Sequence, residues 1–409
     1  MKTHVVPTTR AQVSGHKFLQ RRVEHGLVLG DIRMIHDPLG SRRRALMFGF
    51  VAVVLISVGA GLLAWLRPAA DPGEEPILQT ADGALFVRVD DTVHPVANLV
   101  SARLIAGTPA QPARVGAQIL ASYDRGAPLG IHPAPLLLAD APVSPTWAAC
   151  TSSSGVDVLA GVDTAPLGGH RAVLATGVGK DWLLTNDGRA ELPHPDSPDG
   201  RVMRRALDIT SDTPRWEPEA LVLGATSELT PLRLPSPLPD DILTAEHQSW
   251  ARFGEAITPL TDVQARILRD MGIRTSAIAR SSLGGYADAP AIEGLPSIAP
   301  VWVDPIDVDV CAAGDGHVHT RLADEAGGVA LSGDGIADRF FGTVGAAIAV
   351  DSGHGFHVID ATGLRHAVPD AATLHVLGWE EPSPAPWSIL RLLPQGPDLD
   401  QANALTATY

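Results

Sequence analysis

ALMFGFVAVVLISVGAGLLAWL, residues 45–66, runs for twenty-two positions without a charged side chain. At a helical rise of about 1.5 Å per residue it spans a hydrocarbon core about 30 Å thick. Arg42, Arg43 and Arg44 stand directly before it. Forty-four mostly polar residues precede the run, too many for the basic leader of a secretory signal, so the stretch is expected to remain as an anchor. Phe48 and Trp65 lie near its two ends, where aromatic rings favour the membrane interface. Ser57 and Gly61, and Ala60 and Ala64, are small residues four apart, a spacing that lets helices approach closely in lipid. The reading is a single crossing with most of the mass on one side.

Charge then orients the chain. Residues 1–44 carry nine Lys/Arg against three Asp/Glu, a balance of +6, and the remainder carries 22 against 43, a balance of −21. Basic flanks stay in the cytoplasm, so Arg42, Arg43 and Arg44 are expected inside and residues 67–409 outside the inner membrane, in the periplasm. An acidic outer domain argues against nucleic acid as a partner. Arg outnumbers Lys by 28 to 3, and Ala, Gly and Pro are abundant, a compositional bias from which no function follows.

Before the anchor, Val13, Phe18, Leu19, Val23 and Leu27 approximate one helical face, with Arg21, Arg22 and Glu24 off it and Ser14 placed to cap the start. A basic amphipathic head over 1–44 is expected to dock on a partner or to lie on the anionic inner leaflet. A short solvated helix is the plainer alternative.

After a linker at 67–76, one pattern recurs in stretches beginning at Ile77, Asp181, Trp250 and Ile348. A strand meets a turn of Asp, Asn or Gly; a proline follows (Pro95, Pro193, Pro259, Pro369); and a stretch with helical apolar spacing closes the unit. The nearest internal match sets VHP…ARLI (93–105) against ITP…ARIL (257–268). Units of about 30 residues cannot bury a core alone and must pack on neighbours. Four repeats are therefore expected at 77–107, 181–212, 243–273 and 348–380. Between them lie the two parts of a β-rich central domain, 108–180 and 274–347, and a proline-rich connector, 213–242. Residues 381–409 form a C-terminal tail. The fold class expected is a single transmembrane helix plus an α+β periplasmic domain. In that domain a β-rich core carries four small repeat domains around it, propeller-like and quasi two-fold.

The two cysteines, Cys150 and Cys311, fall in the two parts of the central domain, each shortly after a tryptophan (Trp147, Trp302). On the outer side they form one bridge or remain two separate buried thiols. Neither has a CxxC partner or an adjacent histidine, which leaves a metal site without ligands.

Motifs for catalysis are sparse. No GxSxG elbow occurs. GVGK (177–180) lacks the earlier glycine of a phosphate loop, and Asp181 stands where Ser or Thr should hold magnesium. GGVALSGDG (327–335) is glycine-rich without a lysine. His317 and His319, and His354 and His357, with Asp315 and Asp351 nearby in sequence, could serve zinc, but no HExxH backs them. Asp307 and Asp309 fit a solvated strand face. No catalytic, cofactor or metal residue is assigned, and no cofactor is expected.

The ends carry more. VPTTRAQVSGHKFLQRRVEHGLVLGDIRMIHDPLGSRRRAL, directly before the anchor, resembles the cytoplasmic head of EccB, the single-span membrane component of the actinobacterial type VII (ESX) secretion system. PWSILRLLPQGPDLDQANAL (386–405) resembles that family's C-terminal signature, and VALSGDGIADRFFG, the two cysteines and the repeats follow its order. The second repeat is irregular, and Gly30 interrupts a segment that is usually more basic. The resemblance implies one disulfide, and a structural subunit of a membrane-embedded export channel. It implies partners among the other ESX membrane components, including an FtsK/SpoIIIE-type motor ATPase and a polytopic subunit, and self-association within the complex. It also carries the family's occasional label of ATPase, for which no nucleotide motif stands here. An ectodomain ATPase or hydrolase, or a cell-wall-binding module, are the competing readings.

The charge asymmetry makes a direct prediction. A reporter active only outside the inner membrane should work when fused after Pro76 and fail when fused before Arg42. The reverse pattern would overturn the orientation.

Overall fold

The computed structural model describes residues 8–34, 38–66, 71–136, 138, 144–322, 327–342 and 345–408. They fall into two compact units, Met1–Asp71 and Pro72–Tyr409.

The first unit is helical. A helix over Arg10–Leu29 opens with a capping box: the Thr9 side chain accepts from the Gln12 backbone and the Gln12 side chain accepts from the Thr9 backbone. Thr9, not Ser14, is therefore the cap, because Thr-x-x-Gln satisfies two orphan N–H groups and Ser14 already lies inside the helix. Gly30 ends it in the left-handed region, at φ 69°. A second helix runs unbroken over Pro38–Leu66 and takes in Arg42, Arg43 and Arg44, all exposed. Its stretch Ser41–Leu63 is long and apolar enough to cross a membrane. Leu46, Phe48, Phe50, Leu55 and Ile56 are exposed along it. Residues 1–7 and 35–37 of the head, 67–70 of the linker, and the side chain of Trp65 lie outside the described residues.

Among the described residues, the second unit contains five open sheets. Four are small and share one order. The first has antiparallel strands Ile77–Gln79, Leu85–Val89 and Thr92–Val96, then the helix Leu99–Ala106, then short strands parallel to the first and third of these, Ala113–Arg114 and Asp124–Arg125. The third repeats this with Asp241–Ala245, Gln248–Phe253, Ala256–Leu260, the helix Asp262–Asp270, and the parallel strands Thr275–Ala277 and Ala287–Asp288. In the second, Arg171–Gly177, Lys180–Thr185 and Gly188–Glu191 precede the helix Pro198–Ala206, and Arg215–Trp216 returns parallel to the first strand. In the fourth, Ile348–Asp351, Phe356–Ile359 and Arg365–Val368 precede the helix Ala371–Leu377, and Ser383–Pro384 returns in the same way.

These sheets extend beyond the boundaries expected from sequence. The second begins at Arg171, inside the stretch assigned to the central domain. The connector at 213–242 supplies Arg215–Trp216, a helix at Ala220–Gly224 and the start of the third sheet. Each unit also continues past its helix into parallel strands mostly two residues long. Strands that short leave no alternation to read, which is why the sequence pattern stops at the helix.

The fifth, central sheet has seven strands. They lie in the order Val329–Ala330, Arg339–Gly342, Gly155–Ala160, Trp147–Ser152, Val308–Ala313, Val318–Leu322, Ala165–Pro166. One face enters the largest core through Ala149, Val156, Val158, Val310, Ala312, Val318 and Phe340. A second core joins the first and fourth small sheets through Val100, Leu104, Val358 and Leu374. A third joins the helix of the second small sheet, through Val202 and Met203, to Ile242, Ile267 and Leu268 of the third.

Candidate functional site: the bridged sheet, the C-terminal segment and the head helix

One rung crosses the central sheet. Cys311 stands opposite Cys150, Cys150 opposite Asp157, and Asp157 opposite Arg339. Directly opposed residues share a sheet face, so the alternation that sends Ala149 and Val158 into the main core brings these four together on the other side. Cys150 and Cys311 are fully buried and joined, with Cα atoms 3.9 Å apart and a sequence separation of 161.

Asp157 is fully buried beside the bridge. Arg339 donates to it twice, Nε to Oδ1 and Nη2 to Oδ2, both at 2.9 Å. Arg321 donates to Asp157 Oδ2 at 2.7 Å and to Asp309 Oδ2 at 2.7 and 3.1 Å. Both guanidinium groups stand about the Phe341 ring, at 5.0 and 5.1 Å from its centroid. Two carboxylates and two guanidinium groups balance. A buried ionised carboxylate persists only when paired and hydrogen-bonded in this way. Asp309, read from sequence as solvated, is 3% exposed: its cross-strand partner Arg321 covers it, and no sequence spacing reveals such pairing.

The two signature stretches meet beside this sheet. Asp338 ties to Val156 both ways, N to O at 2.7 Å and Oδ2 from the Val156 N–H at 2.8 Å. Ile336 and Ala337 donate to the Leu392 carbonyl at 2.9 and 3.0 Å. At Gly335 the backbone of Pro394 stands closer than any Cβ allows, so only glycine fits. Ile389, Leu390, Leu392 and Leu393 then enter the main core.

The motifs weighed for catalysis resolve into structure. GVGK is a tight hairpin turn with Val178 and Gly179 at φ 54° and 73°, and Lys180 Nζ pairs with Glu191 at 2.8 Å. Burial would raise the Asp181 pKa, but hydrogen bonds from Arg204 and Thr176 and the charge of Arg215 hold it below the usual carboxylate range. His317 Nδ1 lies 3.0 Å from Asp315, and His319 Nδ1 lies 2.7 Å from Thr164 Oγ1. His354 and His357 stack on Trp387. Among the described residues no group of three or more His, Cys, Asp or Glu could hold a metal ion.

On the head helix, Leu19, Val23 and Leu27 follow at intervals of four in one row, 59%, 60% and 82% exposed. Val13 is exposed beside that row, and Phe18, also exposed, points about 100° away from Leu19. The signal for the charge network was present in GVDVLA, a lone carboxylate in an apolar strand; its partners Arg321 and Arg339 had no signal of their own.

A family model described as "Type VII secretion system ESX-1, transport TM domain B" matches residues 5–251 and 318–408. The chain is similar to the ESX-3 secretion system ATPase EccB3 of Mycolicibacterium smegmatis, 29% identical over 481 residues that take in 98% of this chain and 90% of that protein. The ESX-1 secretion system ATPase EccB1 of Mycobacterium tuberculosis is 28% identical over 466 residues, 97% of this chain and 94% of that one. Among solved structures, a chain of an intact ESX-5 inner membrane complex aligns over 99% of this chain and 96% of its own, at 25% identity and a TM-score of 0.69. The EccB3 dimer from the ESX-3 core complex, 23% identical, shares the fold over 81% of this chain and 100% of that one, with a TM-score of 0.67.

The charge network predicts an order of stabilities. Asp157→Ala removes the carboxylate that Arg339 and Arg321 both donate to and should cost about 3–5 kcal/mol. Asp157→Leu combined with Arg339→Leu keeps the Arg321–Asp309 pair and should cost less than the single change. Urea denaturation followed by tryptophan fluorescence checks this. A double variant at least as unstable as the single one would mean that packing, not charge balance, holds this face.

Proposed function

Because the chain belongs to the EccB family of type VII secretion subunits, we propose that it is a structural core subunit of an ESX inner membrane complex. The observation that carries this reading is the union in one chain of a helix fit to span a membrane and a β-rich unit, matched from end to end by a chain of an ESX-5 inner membrane complex. In this role Ser41–Leu63 is the membrane anchor. The charge balance on its two sides supports a cytoplasmic head and a periplasmic β-rich domain.

The four small sheets are best understood as copies of one repeat. Their shared order of three antiparallel strands, helix and parallel return supports this, as do the cores that join the first with the fourth and the third with the helix of the second. That pairing supports a quasi two-fold arrangement around the central sheet. A second copy of the chain is a natural partner, as in the EccB3 dimer of the ESX-3 core complex.

The relatives' label of ATPase finds no counterpart in the segment most like a nucleotide loop, where Lys180 is committed to Glu191 in a hairpin. We assign energy transduction to other subunits and scaffolding to this one. The head supplies the cytoplasmic contact. Burial of a large apolar side chain is worth about 1.5–3 kcal/mol, so the Leu19–Val23–Leu27 row, with Val13 and Phe18, gains by meeting a partner. The other ESX membrane components, a motor ATPase of the FtsK/SpoIIIE type and a polytopic subunit among them, are the partners this reading expects.

Replacing Leu19 and Val23 by Asp tests the docking. The variant should insert and form its disulfide normally, yet co-purify with the other membrane components at a small fraction of the wild-type yield. Assembly at normal yield would move the docking role to the anchor or the β-rich domain.

A further inference from the structure

The fourth small sheet carries a cluster that scaffolding does not use. His357 lies opposite Val350 and Ala367, and Arg365 lies opposite Ile359, so His357 and Arg365 project from the same sheet face. Both meet Trp387. The His357 ring stacks on it at 5.4 Å between centroids and 15° between planes, and the Arg365 guanidinium carbon lies 5.0 Å from the indole centroid. His354, from the turn before the strand, also stacks on it, at 5.9 Å and 21°.

His357 and Arg365, unlike His354, are buried. His357 is 6% exposed and neither ring nitrogen has a hydrogen-bond partner; Arg365 is 9% exposed and its Nε has none. Arg365 on the adjacent strand repels a proton on His357. Asp351 at the end of the first strand and Asp398 in the C-terminal segment attract one, but neither hydrogen-bonds to the ring. Asp334 and Asp398 also face Arg365. Trp387 already carries the Arg365 cation, so its ring has little left to offer an imidazolium. His366, on the opposite face, differs: its Nδ1 lies 2.8 Å from the Pro397 carbonyl and its Nε2 4.0 Å from Asp360.

What Trp387 belongs to matters. The C-terminal segment is fastened along both edges of this sheet. Ser383–Pro384 pairs with Val350 and Asp351, and Ala385 donates to the Asp351 carbonyl at 2.9 Å. On the other edge Arg365 donates to Pro394 at 3.0 Å, Gly396 to Arg365 at 3.0 Å and Leu399 to Ala367 at 2.8 Å. The stack sits between these two fastenings.

We propose that His357, stacked with Arg365 on Trp387, is an acid-sensitive latch on the C-terminal segment: neutral, it closes residues 383–399 onto the fourth small sheet, and protonated, it loosens them. Burial first, and then the Arg365 charge, hold the His357 pKa below its usual 6.5. A histidine whose folded pKa is depressed contributes stability that is complete above the unfolded pKa. That stability is lost as pH falls through about 6.5 toward the folded value, because the open state binds the proton more readily. One such group increases the open population by up to about tenfold per pH unit within that window. Opening of this kind is local and leaves the central sheet closed.

Hydrogen exchange read by mass spectrometry on the full-length chain in detergent tests this, with rates corrected for the intrinsic effect of pH. Between pH 7.5 and 5.5 the amides of 383–399 should lose protection several-fold to tenfold, while those of 147–160 hold theirs. His357→Phe keeps a ring on Trp387 and cannot titrate, so its protection should be independent of pH. His357→Gln, a smaller and polar change, should also abolish the response, and His354→Gln should retain it. Wild-type protection that is flat across this range, or a His357→Phe protein that opens as the wild type does, would overturn the latch.

Discussion

A carboxylate shut away from water stands at the centre of the β-rich unit, and the arrangement around it follows from the need to neutralise it. Asp157 shares a rung of the central sheet with Cys150, Cys311 and Arg339. Its charge is held by guanidinium groups from two further strands, one of which also holds Asp309. The chain reaches this rung from residues 150, 157, 311 and 339, and Arg321 joins from its place opposite Asp309, so the network and the disulfide unite segments far apart in sequence. Closing a loop of 161 residues with a disulfide restricts the unfolded chain by up to about 5 kcal/mol in the chain-entropy account. The ion network adds register: slipping a strand that carries one of these four charges by one residue would turn that charge into the apolar core.

From that sheet the remaining structure is tied on by backbone. The loop around Gly335 and Asp338 hydrogen-bonds both to the central strand at Val156 and to the C-terminal segment at Leu392. That segment runs on along the fourth small sheet, and Thr408 donates to Pro128 beside the first. The two ends of the β-rich unit are thereby held near each other. A scaffold in a membrane complex needs this property more than it needs a pocket, since its work is to hold surfaces in fixed relation.

Much of this was legible in the sequence, for physical reasons that differ by element. The anchor announces itself because lipid tolerates no charge over so long a run. The three-strand-and-helix pattern shows because alternation and helical spacing each persist for several residues, as in Thr92–Val96 and Leu99–Ala106. The returning strands, such as Ala113–Arg114 and Ser383–Pro384, are too short to carry a period, so the units were drawn too small. Asp309 reads as solvated in the sequence because a buried strand carboxylate looks the same until its cross-strand arginine is known. Ser14 stands next to the apolar residues of the head, but the reciprocal pair Thr9 and Gln12 makes the cap. GVGK lacks the earlier glycine of a phosphate loop, and the hairpin turn explains the glycine that is present.

This chain belongs to a family of structural subunits of ESX inner membrane complexes, and the proposed division of labour leaves ATP hydrolysis to the other subunits. Nucleotide turnover by the purified full-length protein, free of its partner subunits, tests this most directly. The account predicts no ATP hydrolysis above the detergent blank, and a Lys180→Ala protein that assembles and supports export as the wild type does. Saturable hydrolysis that Lys180→Ala abolishes, in protein that remains folded and disulfide-bonded, would contradict it.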